Sequence, residues 1–269
     1  MKTFIPTPSS STLELGLFTL HYYALCILLG IFVAIWVTKK RYFALGGNSN
    51  DISDLAIYVI PAGIIGGRVY HVLTSPQKYF GEGGSPIAVF KIWEGGLGIW
   101  GAIGFGALAT FIYYKKRSTS LSFAQFLDSV APALLLAQAI GRFGNWFNGE
   151  LFGRPTKVFW ALEIPIENRP IGFENYVTFH PTFLYEAIWC VVVAIVIIRS
   201  EFFTKISGSG AVFISYVASY SLGRLFIEVI RIDEANEILG LRLNIWVSAF
   251  VCAGATAILL RKISRHRKK

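Results

Sequence analysis

The sequence predicts an all-α integral membrane protein, a bundle of seven transmembrane helices with a small extracytoplasmic loop subdomain. Three observations indicate this class. The 269 residues are 54% hydrophobic, and the mean hydropathy is +0.55. Only 15% of the residues are charged, whereas soluble domains have about 25%. The apolar residues form seven runs, each near the length of about 20 residues that a helix needs to cross a bilayer.

The seven runs define the predicted spans in chain order. They are Leu17–Val37, Leu55–Thr74, Gly95–Tyr114, Leu121–Ile140, Thr182–Ile198, Gly210–Ile230 and Leu243–Leu260. The first run is too long for the apolar core of a cleavable signal peptide, and no basic segment lies directly before it. We therefore predict that it stays in the membrane as the first helix.

Basic residues follow every second span, which indicates the orientation. More than half of the 25 lysine and arginine residues lie in clusters after spans one, three, five and seven. The clusters are Lys39–Arg41, Lys115–Arg117, Arg199 with Lys205, and 261–269. Because basic loops stay on the cytoplasmic side, the pattern predicts an N-terminus outside the cell and a cytoplasmic C-terminus.

The opposite, outer face receives the loops 75–94, 142–181 and 231–242, which are rich in glycine, proline, asparagine and acidic residues. We predict one integral-membrane domain over 1–269, with 142–181 as an extracytoplasmic loop or head region. Its segment 154–180 contains several prolines and a short alternating run, which predicts a small hairpin or a lid.

The composition excludes several other classes. The net charge is +9, but the basic residues mark helix ends, so no nucleic acid partner is predicted. Cys26, Cys190 and Cys252 lie singly in apolar runs, a pattern that favours neither a disulfide framework nor a zinc site. The chain contains no P-loop and no HExxH motif, and we predict no cofactor and no metal.

The segment Gly141–Glu150, with the sequence Gly-Arg-Phe-Gly-Asn-Trp-Phe-Asn-Gly-Glu, contains the strongest chemical signal. It places Arg142, Asn145, Asn148 and Glu150 at the end of an apolar run. An arginine at that depth is costly in hydrocarbon, so it is normally retained because it binds something. Asparagine amides supply donors and acceptors, and glycines permit close backbone approach. The segment predicts the wall of a polar pocket for an anionic head group.

A second group of charges lies at the end of span six. Arg224, Glu228 and Arg231 are spaced at i, i+4 and i+7, which places them on one helical face. One interpretation is an internal salt bridge that only neutralises buried charge. The other is a phosphate cradle that includes Arg142, because the group keeps one net positive charge and guanidinium binds phosphate oxygens in pairs.

A fourth candidate arginine lies in span two, in the segment Gly66-Gly67-Arg68. Arg68 either extends to the outer surface or turns inward, where the glycine pair permits close helix packing. Small residues recur every four positions in span three, at Gly98, Ala102 and Gly106. They predict a close helix–helix contact, with a lipid groove as the alternative.

Span five begins beside His180 and contains Glu186. Because an intramembrane glutamate is costly unless it is paired, we predict that Glu186 bonds His180 or an arginine of the span-six group. His180 taken alone favours a satisfied interfacial histidine over a catalytic one. Asp128, near the cytoplasmic end of span four, is predicted to be structural.

Together these motifs resemble the prolipoprotein diacylglyceryl transferase family of bacterial membrane enzymes. The resemblance extends from span one to span six, and its most specific part is Gly141–Gly153. The Gly67-Arg68 pair, the stretch His180–Glu186 and the spacing of Arg224, Glu228 and Arg231 match in the same order. The family acts in the bacterial inner membrane, so the resemblance implies this location.

The resemblance implies an activity and its partners. The family transfers the diacylglyceryl group of phosphatidylglycerol to the lipobox cysteine thiol of a prolipoprotein, which forms a thioether and releases glycerol 1-phosphate. The implied partners are phosphatidylglycerol, the prolipoprotein signal peptide and membrane lipids. We predict the catalytic residues Arg142, Arg224, Tyr23 and His180. The predicted substrate-binding residues are Arg142, Asn145, Asn148, Glu150, Gly153, Arg68, Glu228 and Arg231.

One departure from the family pattern affects the mechanism. Many members have a histidine in the glycine-rich motif where this chain has Trp100. A mechanism with that histidine as general base does not apply here unchanged, and His180, Glu150 and Tyr23 are the alternative proton acceptors. Trp100, like Trp93, is also typical of an interfacial aromatic.

The residue pattern alone also allows two other functions. A transporter for an anionic solute would also place arginines inside its spans. However, no inverted repeat is visible, and the ionisable residues lie toward one face of the membrane. A non-catalytic lipid-binding scaffold is the third possibility.

Overall fold

A computed structural model of the chain describes residues 4–16, 18–92 and 95–266. The helices are α1 (Tyr22–Ala44), α2 (Ser49–Thr74), α3 (Gln77–Phe80), α4 (Ile99–Lys116), α5 (Phe123–Asn148), α6 (Thr182–Arg199), α7 (Glu201–Ile206), α8 (Ala211–Ile230) and α9 (Leu243–His266). The strands are β1 (Ile5–Pro6), β2 (Thr12–Leu15), β3 (Phe18–His21), β4 (Leu162–Glu163), β5 (Thr178–Phe179), β6 (Glu237–Ile238) and β7 (Leu241–Arg242).

Within the described part of the chain, six helices are long and apolar enough to cross a membrane. They are α1, α2, α5, α6, α8 and α9. Large apolar side chains such as Phe32 (66% exposed) and Phe250 (71% exposed) point away from the protein interior. The fold is therefore that of a mostly helical, multi-pass membrane protein, as predicted. The remaining long helix, α4, has 18 residues and ends in Lys115 and Lys116, which shortens its apolar part.

Several helix ends differ from the predicted span boundaries, and two of these differences affect residues near the site. The first span was predicted from Leu17, which lies outside the described residues, but α1 begins only at Tyr22, after the antiparallel β2–β3 hairpin. The fourth span was predicted to end at Ile140, but α5 continues to Asn148. The glycines there do not end the helix, because aromatic packing supports it: Phe147 stacks on Tyr22 with ring centroids 4.6 Å apart.

A small sheet combines β1, from before α1, with β4 and β5, which follow α5. Its strand order is β1-β4-β5, and β4 pairs with β5 in antiparallel register. Of the hairpin or lid predicted within 154–180, the antiparallel pairing of a hairpin is observed. Its apolar residues Leu162, Ile164 and Phe179 are buried together with Phe152 and with Phe183 of α6. This shared core fixes the sheet to the start of α6.

The chain divides into two compact units. The smaller unit is Tyr42–Phe123, and the larger unit combines Met1–Arg41 with Ala124–Lys269. The smaller unit is built on α2 and α4, whose backbones meet directly: the Gly98 amide donates to the Gly67 carbonyl at 2.8 Å. A side chain on Gly66 would collide with the Gly101 carbonyl and with Phe105. The predicted close helix–helix contact is confirmed.

Replacing Gly66 by alanine is expected to destabilise the smaller unit by about 1–3 kcal/mol, because the added methyl group overpacks the α2–α4 contact. Gly104→Ala is the matched control on α4, since a Cβ there meets nothing within 4 Å. That change should be neutral or should stabilise by up to about 1 kcal/mol, because alanine has the higher helix propensity. Unfolding in detergent measures both, and equal effects would contradict the proposed contact.

In the larger unit, Asp128 of α5 binds the start of α8. Its side chain is fully buried. One carboxylate oxygen accepts from the amides of Gly208 and Gly210 at 2.8 Å, and the other accepts from the Phe213 amide at 2.9 Å. A carboxylate at a helix N-terminus satisfies its unpaired N–H groups and its dipole. The structural role predicted for Asp128 is confirmed.

Candidate active site

Arg142 of α5 and Arg224 of α8 bind the same carboxylate. Arg142 Nη2 lies 2.6 Å from Glu186 Oε1, and Arg224 Nη1 lies 2.9 Å from Glu186 Oε2. Glu186 is on α6, so three helices contribute to this contact. Of the two partners predicted for Glu186, the arginine is the one observed. The Tyr220 hydroxyl also donates to Glu186 Oε1 at 3.0 Å.

Glu228 continues the network from Arg224. Arg224 bonds Glu228 across one turn of α8, and Arg231, just beyond the helix, approaches the same carboxylate at 3.7 Å. Arg242 of β7 donates to the other oxygen at 2.9 Å. Asp233 then binds Arg231 through two bonds of 2.7 Å and Arg242 at 3.0 Å. We call this set of seven charged side chains the arginine network.

Around Arg142 and Arg224, the arginine network has buried carboxylates beneath more accessible guanidinium groups. The side chains of Glu186 and Glu228 are 3% and 0% exposed, whereas those of Arg142 and Arg224 are 21% and 14% exposed. Asp233, at the other end of the network, is 27% exposed. The four guanidinium groups of the network outnumber its three carboxylates by one. An anion that approaches at Arg142 and Arg224 therefore meets guanidinium groups first.

Residues of the segment Gly141–Glu150 extend the site from Arg142. Arg142 Nη1 donates to Asn145 Oδ1 at 3.3 Å, and the Asn145 amide donates to Glu150 Oε1 at 2.8 Å. The Asn148 amide donates to the same oxygen at 3.2 Å. Glu150 thus fixes both asparagines. It lines a cavity of about 360 Å³ to which Asp233 of the arginine network also contributes.

The backbone after α5 turns sharply to place Glu150. Gly149 and Leu151 both have positive φ, at 60° and 56°, and such a conformation is uncommon for leucine. The Thr182 hydroxyl donates to the Leu151 carbonyl. A side chain on Gly153 would approach Ile230 Cγ2 at 2.7 Å and His180 Cβ at 2.9 Å. The structure therefore gives Gly153 a packing role beside the site.

His180 belongs to a chain of hydrogen bonds outside the arginine network. Trp160 Nε1 donates to the Tyr185 hydroxyl at 2.9 Å, and that hydroxyl lies 2.9 Å from His180 Nδ1. Tyr185 is thus the shared partner of Trp160 and His180, and the tautomer of His180 decides whether Nδ1 accepts the hydroxyl proton or donates to the hydroxyl oxygen. Burial lowers the pKa of His180, which favours the neutral ring.

Tyr23 lies in the first turn of α1, beside the segment Gly141–Glu150. Its ring fills the space that a side chain on Gly144 would need. Gly144 is two residues beyond Arg142 on α5, so the contact brings Tyr23 to the same end of this helix. The tyrosine is 39% exposed.

Arg68 lies in the smaller unit, where its guanidinium binds the protein backbone. Its nitrogens donate to five carbonyl oxygens, those of Ala88, Val89, Lys91, Gly95 and Gly96. These bonds match its five N–H donors, and Arg68 is 7% exposed. The observed role is thus to hold the loop between α3 and α4. Trp100, in the first turn of α4, is 58% exposed, and Trp93 lies outside the described residues.

Asp233, Arg242 and Tyr220 are members of the site that the sequence analysis missed. Tyr220 lies one helical turn before Arg224, so the spacing already placed it on that face. Arg242 is a basic residue in a loop that the charge distribution predicts to lie on the outer side, so it is an exception to that distribution. Both Asp233 and Arg242 line a cavity of about 930 Å³ together with Arg154 and Arg231. Burial acts to raise the pKa of Asp233, but its bonds to Arg231 and Arg242 hold the pKa below the usual value.

The fold and the site define a class: a multi-pass membrane protein with several arginines converging on buried carboxylates beside a polar cavity. Comparison with known proteins gives the family. The sequence model of the prolipoprotein diacylglyceryl transferase family matches residues 10–261, and the chain belongs to this family.

Curated relatives agree with this assignment. The chain is 48% identical to phosphatidylglycerol–prolipoprotein diacylglyceryl transferase 2 of Streptomyces coelicolor, over 98% of this chain and 82% of the relative. It is 47% identical to the phosphatidylglycerol–prolipoprotein diacylglyceryl transferase of Streptomyces griseus, over 99% and 80%. The transferase of the same name from Corynebacterium glutamicum is 48% identical over 96% and 84%.

Proposed function

We infer that the protein is a transferase that moves the diacylglyceryl group of phosphatidylglycerol to the lipobox cysteine thiol of prolipoproteins. This is the first step of bacterial lipoprotein maturation. Family membership and the names of the relatives support the substrates. The structural observation that supports the site is the meeting of Arg142 and Arg224, from separate helices, on Glu186.

In the proposed reaction, the cysteine sulfur attacks a glyceryl carbon of the lipid. The bond between that carbon and the phosphate oxygen breaks, its electron pair stays on the oxygen, and glycerol 1-phosphate leaves. Negative charge therefore grows on the phosphate in the transition state. Guanidinium groups held in advance at that position stabilise the transition state more than the ground state.

Arg142 and Arg224 are the proposed phosphate ligands. Each bonds Glu186 through one terminal nitrogen, and each such nitrogen carries a second N–H that can point to a phosphate oxygen. Glu186 and Glu228 hold the guanidinium groups in place before the lipid binds. Asn145 connects Arg142 to Glu150, and Glu150 and Asn148 line the 360 Å³ cavity, which we assign to the polar part of the substrates. Gly153, Glu228 and Arg231 shape the site, whereas the contacts of Arg68 favour loop support over substrate binding.

The thiol must lose its proton during the attack. A free thiol has a pKa of about 8.5, so only a few per cent is thiolate at neutral pH. The positive face of the arginine network favours the thiolate. His180, Glu150 and Tyr23 remain the proposed acceptors. Because the Tyr185 hydroxyl lies 2.9 Å from His180 Nδ1, a proton that passes through this nitrogen also involves Tyr185.

For the membrane topology, we propose that α4 is a seventh span. Its 18 residues correspond to about 27 Å at the helical rise, and terminal lysines extend to the membrane surface. We further propose an outer N-terminus and a cytoplasmic C-terminus. Basic residues end α1, α4 and α6, which supports this orientation. The protein is then one integral-membrane domain with 142–181 contributing an extracytoplasmic head.

One assay tests the proposed function against the two alternatives. Purified protein in detergent is mixed with labelled phosphatidylglycerol and a peptide that contains a lipobox. A lipidated peptide together with released glycerol 1-phosphate is expected. Movement of intact lipid between the leaflets of reconstituted vesicles, without bond cleavage, would instead indicate a transporter. Lipid binding alone would indicate a scaffold.

A further inference from the structure

Arg242 joins the arginine network from an outer loop. The short strands β6 and β7 pair in antiparallel register, Ile238 with Leu241, and return the chain so that Arg242 comes directly before α9. Arg242 Nε then donates to Glu228 Oε1 at 2.9 Å. Its other nitrogens reach Asp233, one at the carboxylate at 3.0 Å and one at the backbone carbonyl at 2.5 Å. The side chain is only 12% exposed.

The distances assign one counter-ion clearly. Arg231 makes two bonds of 2.7 Å to Asp233 but lies 3.7 Å from Glu228, so Asp233 is its main counter-ion. Glu228 is shared: Arg224 bonds one of its oxygens, and Arg242 bonds the other at 2.9 Å. The three arginines other than Arg231 therefore share the two carboxylates of Glu186 and Glu228. The surplus positive charge of this group is most accessible at Arg142 and Arg224, whose side chains are 21% and 14% exposed.

We propose that Arg242 is a positioning residue that shares the charge of Glu228 with Arg224 and thereby keeps a surplus positive charge available at Arg142 and Arg224. This inference rests on the proposed function, in which these two arginines bind the phosphate of the lipid. Without Arg242 the network holds three guanidinium groups and three carboxylates, and its surplus charge is zero. Arg242 then sets how tightly a lipid with net negative charge binds, and how strongly this lipid is preferred over a zwitterionic phospholipid. It does so without contacting either lipid.

Three variants separate the charge of Arg242 from its shape. Arg242→Gln removes the charge, Arg242→Lys keeps it, and Arg242→Gln combined with Asp233→Asn restores the surplus by deleting one charge of each sign. Arg169→Gln is the matched control. Arg169 also anchors a loop, donating to the Ile164 carbonyl at 2.9 Å and to the Glu174 carbonyl at 2.7 Å, but it makes these contacts outside the network.

The experiment measures KM and kcat for phosphatidylglycerol with a lipobox peptide. It also measures the Kd of short-chain phosphatidylglycerol and phosphatidylethanolamine by calorimetry in detergent. Arg242→Gln is expected to raise KM and Kd for phosphatidylglycerol about tenfold, with kcat changed less than about threefold. The preference over phosphatidylethanolamine should shrink. Arg169→Gln should stay within about threefold of the wild type, whereas Arg242→Lys and the double variant should each bind phosphatidylglycerol more tightly than Arg242→Gln.

Two results would overturn the inference while the proposed function stands. The first is that, in an active wild-type enzyme, Arg242→Lys is as defective as Arg242→Gln. The second is that the double variant binds phosphatidylglycerol more weakly than Arg242→Gln. Either result would mean that Arg242 acts through the planar geometry of its guanidinium group or by holding its loop, and not through its charge. If the wild type binds phosphatidylglycerol but transfers nothing, the proposed function fails, and the calorimetric comparison still decides the role of Arg242. A wild type that binds no phosphatidylglycerol overturns both.

Discussion

Arg142→Lys and Arg224→Lys are each expected to lower the rate of diacylglyceryl transfer about a hundredfold. Lysine keeps the charge but not the planar fork, so it cannot bind Glu186 and a phosphate oxygen in fixed directions at the same time. Losing one pre-positioned donor to a developing anion costs about 2.7–4 kcal/mol of transition-state stabilisation in comparable enzymes. Single-turnover rates with saturating phosphatidylglycerol measure the effect on the chemical step.

Arg169→Lys is the control for these variants, because it removes a planar guanidinium group that donates to the backbone carbonyls of Ile164 and Glu174. It should transfer at the wild-type rate. Thermal unfolding of all three variants shows whether any lost activity follows lost stability. Full transfer rates in both Arg142→Lys and Arg224→Lys would refute paired phosphate binding and would leave only a role for positive charge.

Glu186→Gln is expected to lower the free energy of unfolding by about 3–5 kcal/mol, the usual cost of breaking a buried ion pair on one side. The glutamine leaves Arg142 and Arg224 without their shared counter-ion in an interior where Glu186 is only 3% exposed. An anion bound between the two arginines would replace the missing charge. Inorganic phosphate should therefore raise the unfolding midpoint of Glu186→Gln more than that of the wild type.

The control is Glu201→Gln, which breaks an exposed pair between Glu201 and Lys205 at 4.0 Å. Exposed pairs contribute little to stability, so this variant should unfold like the wild type in both buffers. The interpretation of Glu186 would be untenable if Glu186→Gln lost no stability. It would also be untenable if phosphate stabilised both proteins equally.

The sequence allowed the membrane class and several contacts of the site to be predicted, because both depend on local patterns. Long apolar runs specify helices in a bilayer whatever their neighbours are. The spacing of Arg224, Glu228 and Arg231 specifies one helical face, and an intramembrane Glu186 requires a partner, for which the candidates were few. The glycines of α2 and α4 likewise predicted a close helix contact that the Gly98–Gly67 hydrogen bond confirms.

The remaining features depend on tertiary contacts that no local pattern contains. Arg242 reaches Glu228 and Asp233 only because the β6–β7 turn returns the chain to the end of α8. α5 continues through its glycines to Asn148 because Phe147 stacks on Tyr22, which is distant in sequence. Arg68 was interpreted as a candidate lipid ligand, since its type and position suit that role. Its five carbonyl partners come from a loop whose path could not be foreseen.

The aspartate cap at the start of α8 has a consequence far from its own position. The stretch from Asp128 to Arg142 on α5 has the same length as the stretch from Gly210 to Arg224 on α8, about 21 Å at the helical rise. Fixing the two helices to each other at Asp128 therefore aligns them axially, so that both guanidinium groups arrive at the same height. One residue inserted between Phe213 and Arg224 would rotate the Arg224 side chain by about 100° and advance it by about 1.5 Å, away from Glu186. The alignment of the two arginines is thus set by a side chain several helical turns below them.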